Sequence, residues 1–277
     1  MLHAADQLGL DPVDARLVSA SSRLIWHLPA DRAALTITRP GSKTAAAISA
    51  ESAAVHAATA AGVRTPALLA TPIPLTDEQF ALTFRWIDGR PLATTDWPAA
   101  STEAAKLARA RPDGLRALSW PPSWPDPSWQ DVLGSRLFAE LSEHIRHAEA
   151  ALRELLSRDD LVLCHGDLQP ANILVDEYGD PWLIDLEYAC LAPAEWDPAK
   201  LVVLSNRFGD PVGTDRCLTA WPELDRSRLR SCALVQETQI VAWLTQMALD
   251  GTHGAASESR ARAGSMREAT RRWRHLR

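Results

Sequence analysis

Three oxygen-bearing side chains stand at a spacing that could do chemistry together: Asp167, Asn172 and Asp185. The first two lie in Cys164-His165-Gly166-Asp167-Leu168-Gln169-Pro170-Ala171-Asn172, and the third in Trp182-Leu183-Ile184-Asp185-Leu186-Glu187. Short apolar runs precede both groups, Leu161-Val162-Leu163 before the first and Ile173-Leu174-Val175 and Trp182-Leu183-Ile184 around the second. Such runs read as buried strands. Asp176-Glu177-Tyr178-Gly179-Asp180-Pro181 between them reads as a hairpin turn. A loop carrying Asp167 and Asn172 is then followed by a hairpin whose exit carries Asp185. Mg²⁺ takes hard oxygen ligands, one or two from the protein and the rest from phosphates and water. Phosphoryl transfer also needs a carboxylate off the metal, to accept the proton of the attacking hydroxyl. Asp167 suits the proton role; Asn172 and Asp185 suit the metal.

His-x-Asp, an Asn five residues on and an Asp after a hairpin is the kinase order of catalytic loop and metal-binding Asp. With Gly166 after His165, the segment resembles the aminoglycoside phosphotransferase family, kinase-like phosphotransferases of small molecules. The resemblance implies an α+β, two-lobe protein-kinase-like fold, with a small antiparallel-sheet N-lobe and a larger, mostly helical C-lobe. It implies ATP or GTP as phosphate donor, Mg²⁺, and a small hydroxylated acceptor such as an aminoglycoside-like antibiotic or an amino alcohol or sugar metabolite. His165 is then a residue that fixes the loop by hydrogen bonding. Asp197, before Pro198 at an expected helix N-cap, is scaffold. Gln169 stands where Ser/Thr protein kinases carry Lys, which argues against a protein substrate.

The elements that must position these residues can be read in order. Leu17–Leu28 reads as strand, turn and strand, and Ala33–Thr38 as a third strand. The first turn, Ala20-Ser21-Ser22-Arg23, could hold phosphate oxygens with the hydroxyls of Ser21 and Ser22 and with backbone N–H groups. An Ala-rich helix runs from Thr44 to Ala61 and stops at Gly62. Its Glu51 fits the Glu that pairs with a third-strand base in kinases. That base is missing: Thr36 stands in its place, and Arg39 and Lys43 are the nearby candidates. The gap raises an alternative, a pseudokinase-type binding module with little or no transfer activity. Phe80–Trp86 is a strand, and Ile87-Asp88-Gly89-Arg90-Pro91 breaks it. The expected division is therefore a nucleotide-binding lobe, residues 1–88, and a catalytic and substrate lobe, residues 89–277. The resemblance places the adenine edge near Trp86 and Ile87. Beyond these lie a Trp/Pro-rich loop at 118–129, an amphipathic helix from Asp131 to Leu156, and helices over 225–250 and 255–277. The Trp/Pro-rich loop reads equally as a substrate wall or as a loop pinned to the core.

The bulk properties exclude several classes. The chain of 277 residues is 46% hydrophobic and 23% charged, an ordinary globular balance. No stretch approaches the ~18 apolar residues of a membrane span, and the N-terminus lacks a secretory pattern. Four cysteines without metal-ligand spacing point to a reducing cytoplasm. Residues 91–254 hold 25 acids and 14 bases, which tilts the expected substrate toward a cation. The basic tail with Arg271-Arg272-Trp273-Arg274 has no recognition motif beside it, so no nucleic-acid partner is expected.

Overall fold

The computed structural model describes residues 1–20, 23–110, 114–120, 124–209, 214–268 and 272–273. By packing, the chain forms two compact units, Met1–Arg116 with His165–Cys190, and Ala117–Cys164 with Leu191–Arg277. The first opens with α1 (Leu2–Gln7), β1 (Arg16–Ala20), β2 (Arg23–Leu28), β3 (Ala33–Thr38), α2 (Ala45–Ala60), β4 (Ile73–Thr76), β5 (Gln79–Arg85), β6 (Gly89–Pro91) and α3 (Trp97–Ala105). The second begins with α4 (Trp129–Leu133), α5 (Ser135–Leu156) and β7 (Val162–Cys164). The chain then returns to the first unit for β8 (Ile173–Asp176) and β9 (Pro181–Leu183), and leaves it at β10 (Cys190–Ala192). It closes with α6 (Trp196–Phe208), α7 (Thr214–Leu218), α8 (Arg226–Leu249) and α9 (Ala255–Ser265).

These units differ from a cut at residue 88. The reason is strand pairing. β6 runs antiparallel to β8, with Arg90 opposite Val175, so the chain just beyond 88 is hydrogen-bonded to the hairpin. The Leu183 N–H also donates to the Arg64 carbonyl at 2.8 Å. The hairpin that carries Asp185 is therefore packed with the N-terminal elements.

The first unit is built on an antiparallel sheet of order β1-β2-β3-β5-β4. Side chains alternate across a strand, so register decides which residues share a face. Leu28, Ala33, Leu35, Ile37 and Ala81 form one apolar face, packed with Ala4 and Ala5 of α1. Arg23 pairs opposite Thr38 and Ile25 opposite Thr36, which puts Arg23, Thr36 and Thr38 on the other face. β4 carries Pro74 and lies at the sheet edge, where a missing N–H costs no ladder bond. The Thr44 hydroxyl caps α2 by accepting from the Ala47 N–H at 3.2 Å. Gly62, at φ +75°, takes the left-handed turn that ends the helix. Among the buried residues of α2 are Ile48, Glu51 and Val55.

In the second unit Trp129, Leu133, Leu141 and Ile145 share a core with Val241, Ala242 and Ala263. The helix expected from Asp131 is broken at Gly134, which sits at φ +75° between α4 and α5. Trp120 and Trp124 pack against this same core, with ring centroids 5.8 Å apart and Trp124 5.6 Å from Trp129. The Trp/Pro-rich loop is thus pinned by its tryptophans; residues 121–123 lie outside the described residues. α9 stops at Ser265, short of the expected helix to 277, because the Arg207 guanidinium donates to the carbonyls of Ser265, Met266 and Glu268 and terminates it. Among the described residues no helix is long and apolar enough to cross a membrane.

Trp129 is fully buried, so Trp129→Ala should lower the urea-unfolding free energy by about 3–5 kcal/mol. Tyr178→Ala, at an 83% exposed position, should change it by less than about 0.5 kcal/mol.

Candidate active site

The loop after β7 is organised from its backbone outward. His165 is fully buried. Its Nε2 lies 3.0 Å from the Ile184 carbonyl and its Nδ1 lies 3.4 Å from the Asp167 N–H. A ring that donates from Nε2 and accepts at Nδ1 satisfies both contacts, so His165 ties the loop to the segment before Asp185. The Ile184 N–H in turn donates to the Asn172 carbonyl at 2.9 Å. Both backbone polar groups of Ile184 are therefore held by the loop. Gly166 stands at φ +84°, and a Cβ there would lie 2.0 Å from the Tyr188 carbonyl oxygen. Only glycine allows this approach, which brings the Asp167 segment against the turn that follows Asp185.

Side chains complete the arrangement. Asp167 Oδ2 accepts from Gln169 Nε2 at 2.6 Å and from Asn172 Nδ2 at 3.0 Å. Asn172 Nδ2 also donates to the Asp167 carbonyl at 2.9 Å. The carboxylate plane of Asp167 is thereby fixed by two amides. With its Nδ2 committed to Asp167, Asn172 presents Oδ1 as its remaining donor atom, a hard oxygen.

Asp185 adopts φ +64°, a left-handed conformation that Asp tolerates better than most residues. The residue is exposed on one side, while its carboxyl is crowded by neighbouring atoms. That crowding first, then the charge of Glu187, pushes its pKa up to about 6; Arg23 opposes the rise, and Glu51 and Asp167 add to it. The open side lets water screen these charges, so the shift is worth little in stability. A carboxylate in acid-rich surroundings, open on one side and near a hard amide oxygen, is a donor set that fits Mg²⁺. Among the described residues no three His, Cys, Asp or Glu side chains form a cage for a metal. Asn172 and Asp185 would supply the protein's share, with phosphates and water completing it.

The partner of Glu51 is Arg23. Its Nη1 and Nη2 donate to the two oxygens of Glu51 at 2.8 and 2.7 Å. Its Nε and Nη2 donate to Glu187 Oε2 at 3.1 and 2.7 Å. Lys43 Nζ reaches the same Glu187 oxygen at 2.9 Å and lies 4.9 Å from the centroid of the Tyr188 ring. Burial works against the Arg23 charge, but the hydrogen bonds and charge of Glu51, with Glu187 and Asp185, hold its pKa above the ordinary arginine value. Sequence reasoning looked for the missing base on or after β3. The structure brings it from β2, on the face shared with Thr36. Arg39 is not at Glu51; it is exposed and donates to the Ala20 carbonyl at 2.8 Å.

The other expected residues are distributed as follows. Ser21 and Ser22 lie outside the described residues. Trp86 stacks on His27 at 3.9 Å, and its backbone N–H donates to the Arg32 carbonyl at 2.7 Å. That N–H is spent inside the protein. Asp197 lies in the second unit, buried in the first turn of α6; the N-cap position is Glu195, two residues earlier. Arg23, Glu187 and Gln169 were not singled out for these contacts from the sequence. Arg23 is two residues before Ile25, which stands opposite Thr36, so it faces the same side of the sheet as Thr36.

An antiparallel sheet, a helix presenting a buried Glu, and a His-Gly-Asp loop hydrogen-bonded to the hairpin exit at Ile184 define a kinase-like fold. The model of the phosphotransferase enzyme family matches residues 16–230, and the chain belongs to that family. It is a phosphotransferase with an alcohol group as acceptor, a small-molecule kinase. Solved structures agree on the fold. An amicoumacin kinase in complex with AMP-PNP and Ca²⁺ is similar with TM-score 0.72 at 12% identity, over 98% of this chain and 94% of that one. A microcompartment-associated aminopropanol kinase gives 0.70 at 20% identity, over 91% and 89%. An aminoglycoside phosphotransferase gives 0.68 at 17% identity, over 97% and 99%. A search of curated proteins finds none that matches the sequence.

Two outcomes test this geometry. Gly166→Ala should abolish activity and lower the melting temperature, because its Cβ meets backbone; Gly179→Ala, with open space around it at φ +84°, should cost only about 1–2 kcal/mol. Asp185→Asn should stabilise the metal-free protein only slightly, because water screens most of the shift. A carboxyl whose folded pKa is raised favours folding below the unfolded value and opposes it as pH climbs through about 6. The gain should therefore be present at pH 8 and absent at pH 4, read as the difference in melting temperature.

Proposed function

We propose that the chain transfers the γ-phosphate of ATP or GTP to a hydroxyl of a small, amine-bearing molecule. The observation that carries this reading is the fixed Asp167 carboxylate beside Asn172 and Asp185. Asp167 orients the substrate hydroxyl and accepts its proton as the oxygen attacks the γ-phosphorus. A new oxygen–phosphorus bond forms, the bond from the γ-phosphorus to the bridging oxygen breaks, and the nucleoside diphosphate leaves. Mg²⁺ on Asn172 and Asp185 would supply charge stabilisation for the phosphates. Gln169 and Asn172 keep the carboxylate in one plane, and His165 holds the loop.

The substrate class rests on two supports. The central region of the chain is acidic, 25 acids against 14 bases over residues 91–254, which favours a cation. Two of the similar structures are kinases of amines by name, an aminopropanol kinase and an aminoglycoside phosphotransferase. Antibiotics and amino-alcohol or amino-sugar metabolites are both within this class. A reducing cytoplasm is the compartment that fits four cysteines in the free thiol form. The pseudokinase alternative drew on Thr36; the Arg23–Glu51 pair, which gives the helix Glu a basic partner from the neighbouring strand, supports the catalytic reading.

The test is nucleotide consumption with Mg²⁺ across a panel of amino alcohols, amino sugars and aminoglycosides. An acceptor-dependent release of diphosphate is expected, and Asp167→Asn should lower it ~10²–10⁴-fold. An undiminished rate in that variant would remove Asp167 from the mechanism, and no acceptor-dependent release across neutral and amine-bearing hydroxyl compounds would remove the reading.

A further inference from the structure

We propose that Lys43, and not Arg23, is the cation that holds the nucleotide phosphates, so that two residues share the work kinases give to one lysine. The proposal rests on the phosphotransferase reading above. In a kinase one basic residue pairs with the helix Glu and also touches the phosphates. Donor accounting shows that Arg23 cannot do both.

A guanidinium offers five N–H groups in one plane. Two of its edges present a pair of N–H groups that a carboxylate can straddle. One of these edges, Nη1 with Nη2, is closed by Glu51 at 2.8 and 2.7 Å. The other, Nε with Nη2, is closed by Glu187 at 3.1 and 2.7 Å. The single N–H left over, on Nη1, is directed back along the arginine's own stem. Arg23 is also only 5% exposed. A phosphate could reach it only by displacing a carboxylate. Its charge is already matched by two carboxylates and is spent on joining α2 to the turn after Asp185.

Lys43 is arranged differently. It follows β3 and immediately precedes Thr44, the cap of α2. Its side chain is 16% exposed, against 6% for that of Arg23. Its ammonium has three N–H groups. One is engaged with Glu187 Oε2 at 2.9 Å, and the Tyr188 ring lies 4.9 Å away on another side. Donor capacity therefore remains. Glu187 is two residues beyond Asp185, so the contact places the ammonium beside the turn that would share the metal and its phosphates. Glu187 thus aims Lys43, while Arg23 holds Glu187.

The experiment compares Lys43→Met and Arg23→Lys in the full chain by calorimetric titration with AMP-PNP and Mg²⁺, with folding checked by circular dichroism. Lys43→Met should weaken binding at least ~10-fold with its melting temperature nearly unchanged, and Lys43→Arg should restore part of the affinity. Arg23→Lys should lower the melting temperature by several degrees, since two buried carboxylates lose an edge contact, and below that temperature should weaken binding by less than Lys43→Met does. Wild-type binding matched by Lys43→Met overturns the assignment, as does a larger affinity loss in folded Arg23→Lys. A wild-type chain that binds no nucleotide removes the phosphotransferase reading and the assignment together.

Discussion

A buried arginine held between two carboxylates is the contact on which the first unit depends. Arg23 Nη2 lies 2.7 Å from both Glu51 Oε2 and Glu187 Oε2, and all three side chains are nearly closed to water. Burying these charges is costly, and the pairing mainly repays that cost. What the arrangement gains is position. Glu51 belongs to α2, Arg23 to the sheet, and Glu187 to the turn after Asp185. One guanidinium fixes all three relative to each other. Taking the arginine away would leave Glu51 uncompensated and Glu187 on Lys43 alone, close to a third acid whose pKa their charges already raise.

The chemistry-bearing residues are set in place mostly by backbone. The backbone of Ile184 is the link, with its N–H on the Asn172 carbonyl and its carbonyl on His165. Gly166 then lets the loop close on the Tyr188 carbonyl. Asp167, Asn172 and Asp185 converge because these main-chain contacts leave them no other course. Their side chains add only the last adjustment, through the amides of Gln169 and Asn172.

The parts legible in the sequence were those that type and spacing specify. The His-Gly-Asp loop, the hairpin and the Ala-rich helix that stops at Gly62 were of this kind. Arg23 was not legible, because its role depends on the register of β2 against β3, which no local pattern reveals. Thr36 lies on β3 and Arg39 and Lys43 follow it, whereas the residue that reaches Glu51 comes from the neighbouring strand. Gly134 broke a helix that the apolar periodicity alone ran through, since its left-handed backbone ends α4 whatever the pattern says. The Trp/Pro-rich loop could be read as pocket wall or as anchor, and only the rings' contacts with the Leu141–Val241 core decide for the anchor. The end of α9 depended on Arg207, distant in sequence, capping its carbonyls.

The claim that this buried bridge organises the site is tested most directly by a double-mutant cycle on Arg23→Met and Glu51→Leu, read by urea unfolding. Arg23→Met leaves Glu51 without its partner and should cost about 3–5 kcal/mol; Glu51→Leu leaves Arg23 on Glu187 alone and should cost less; and the double variant should lose well under the sum of the two. Strictly additive losses would mean that Arg23 and Glu51 act independently, and would contradict the account.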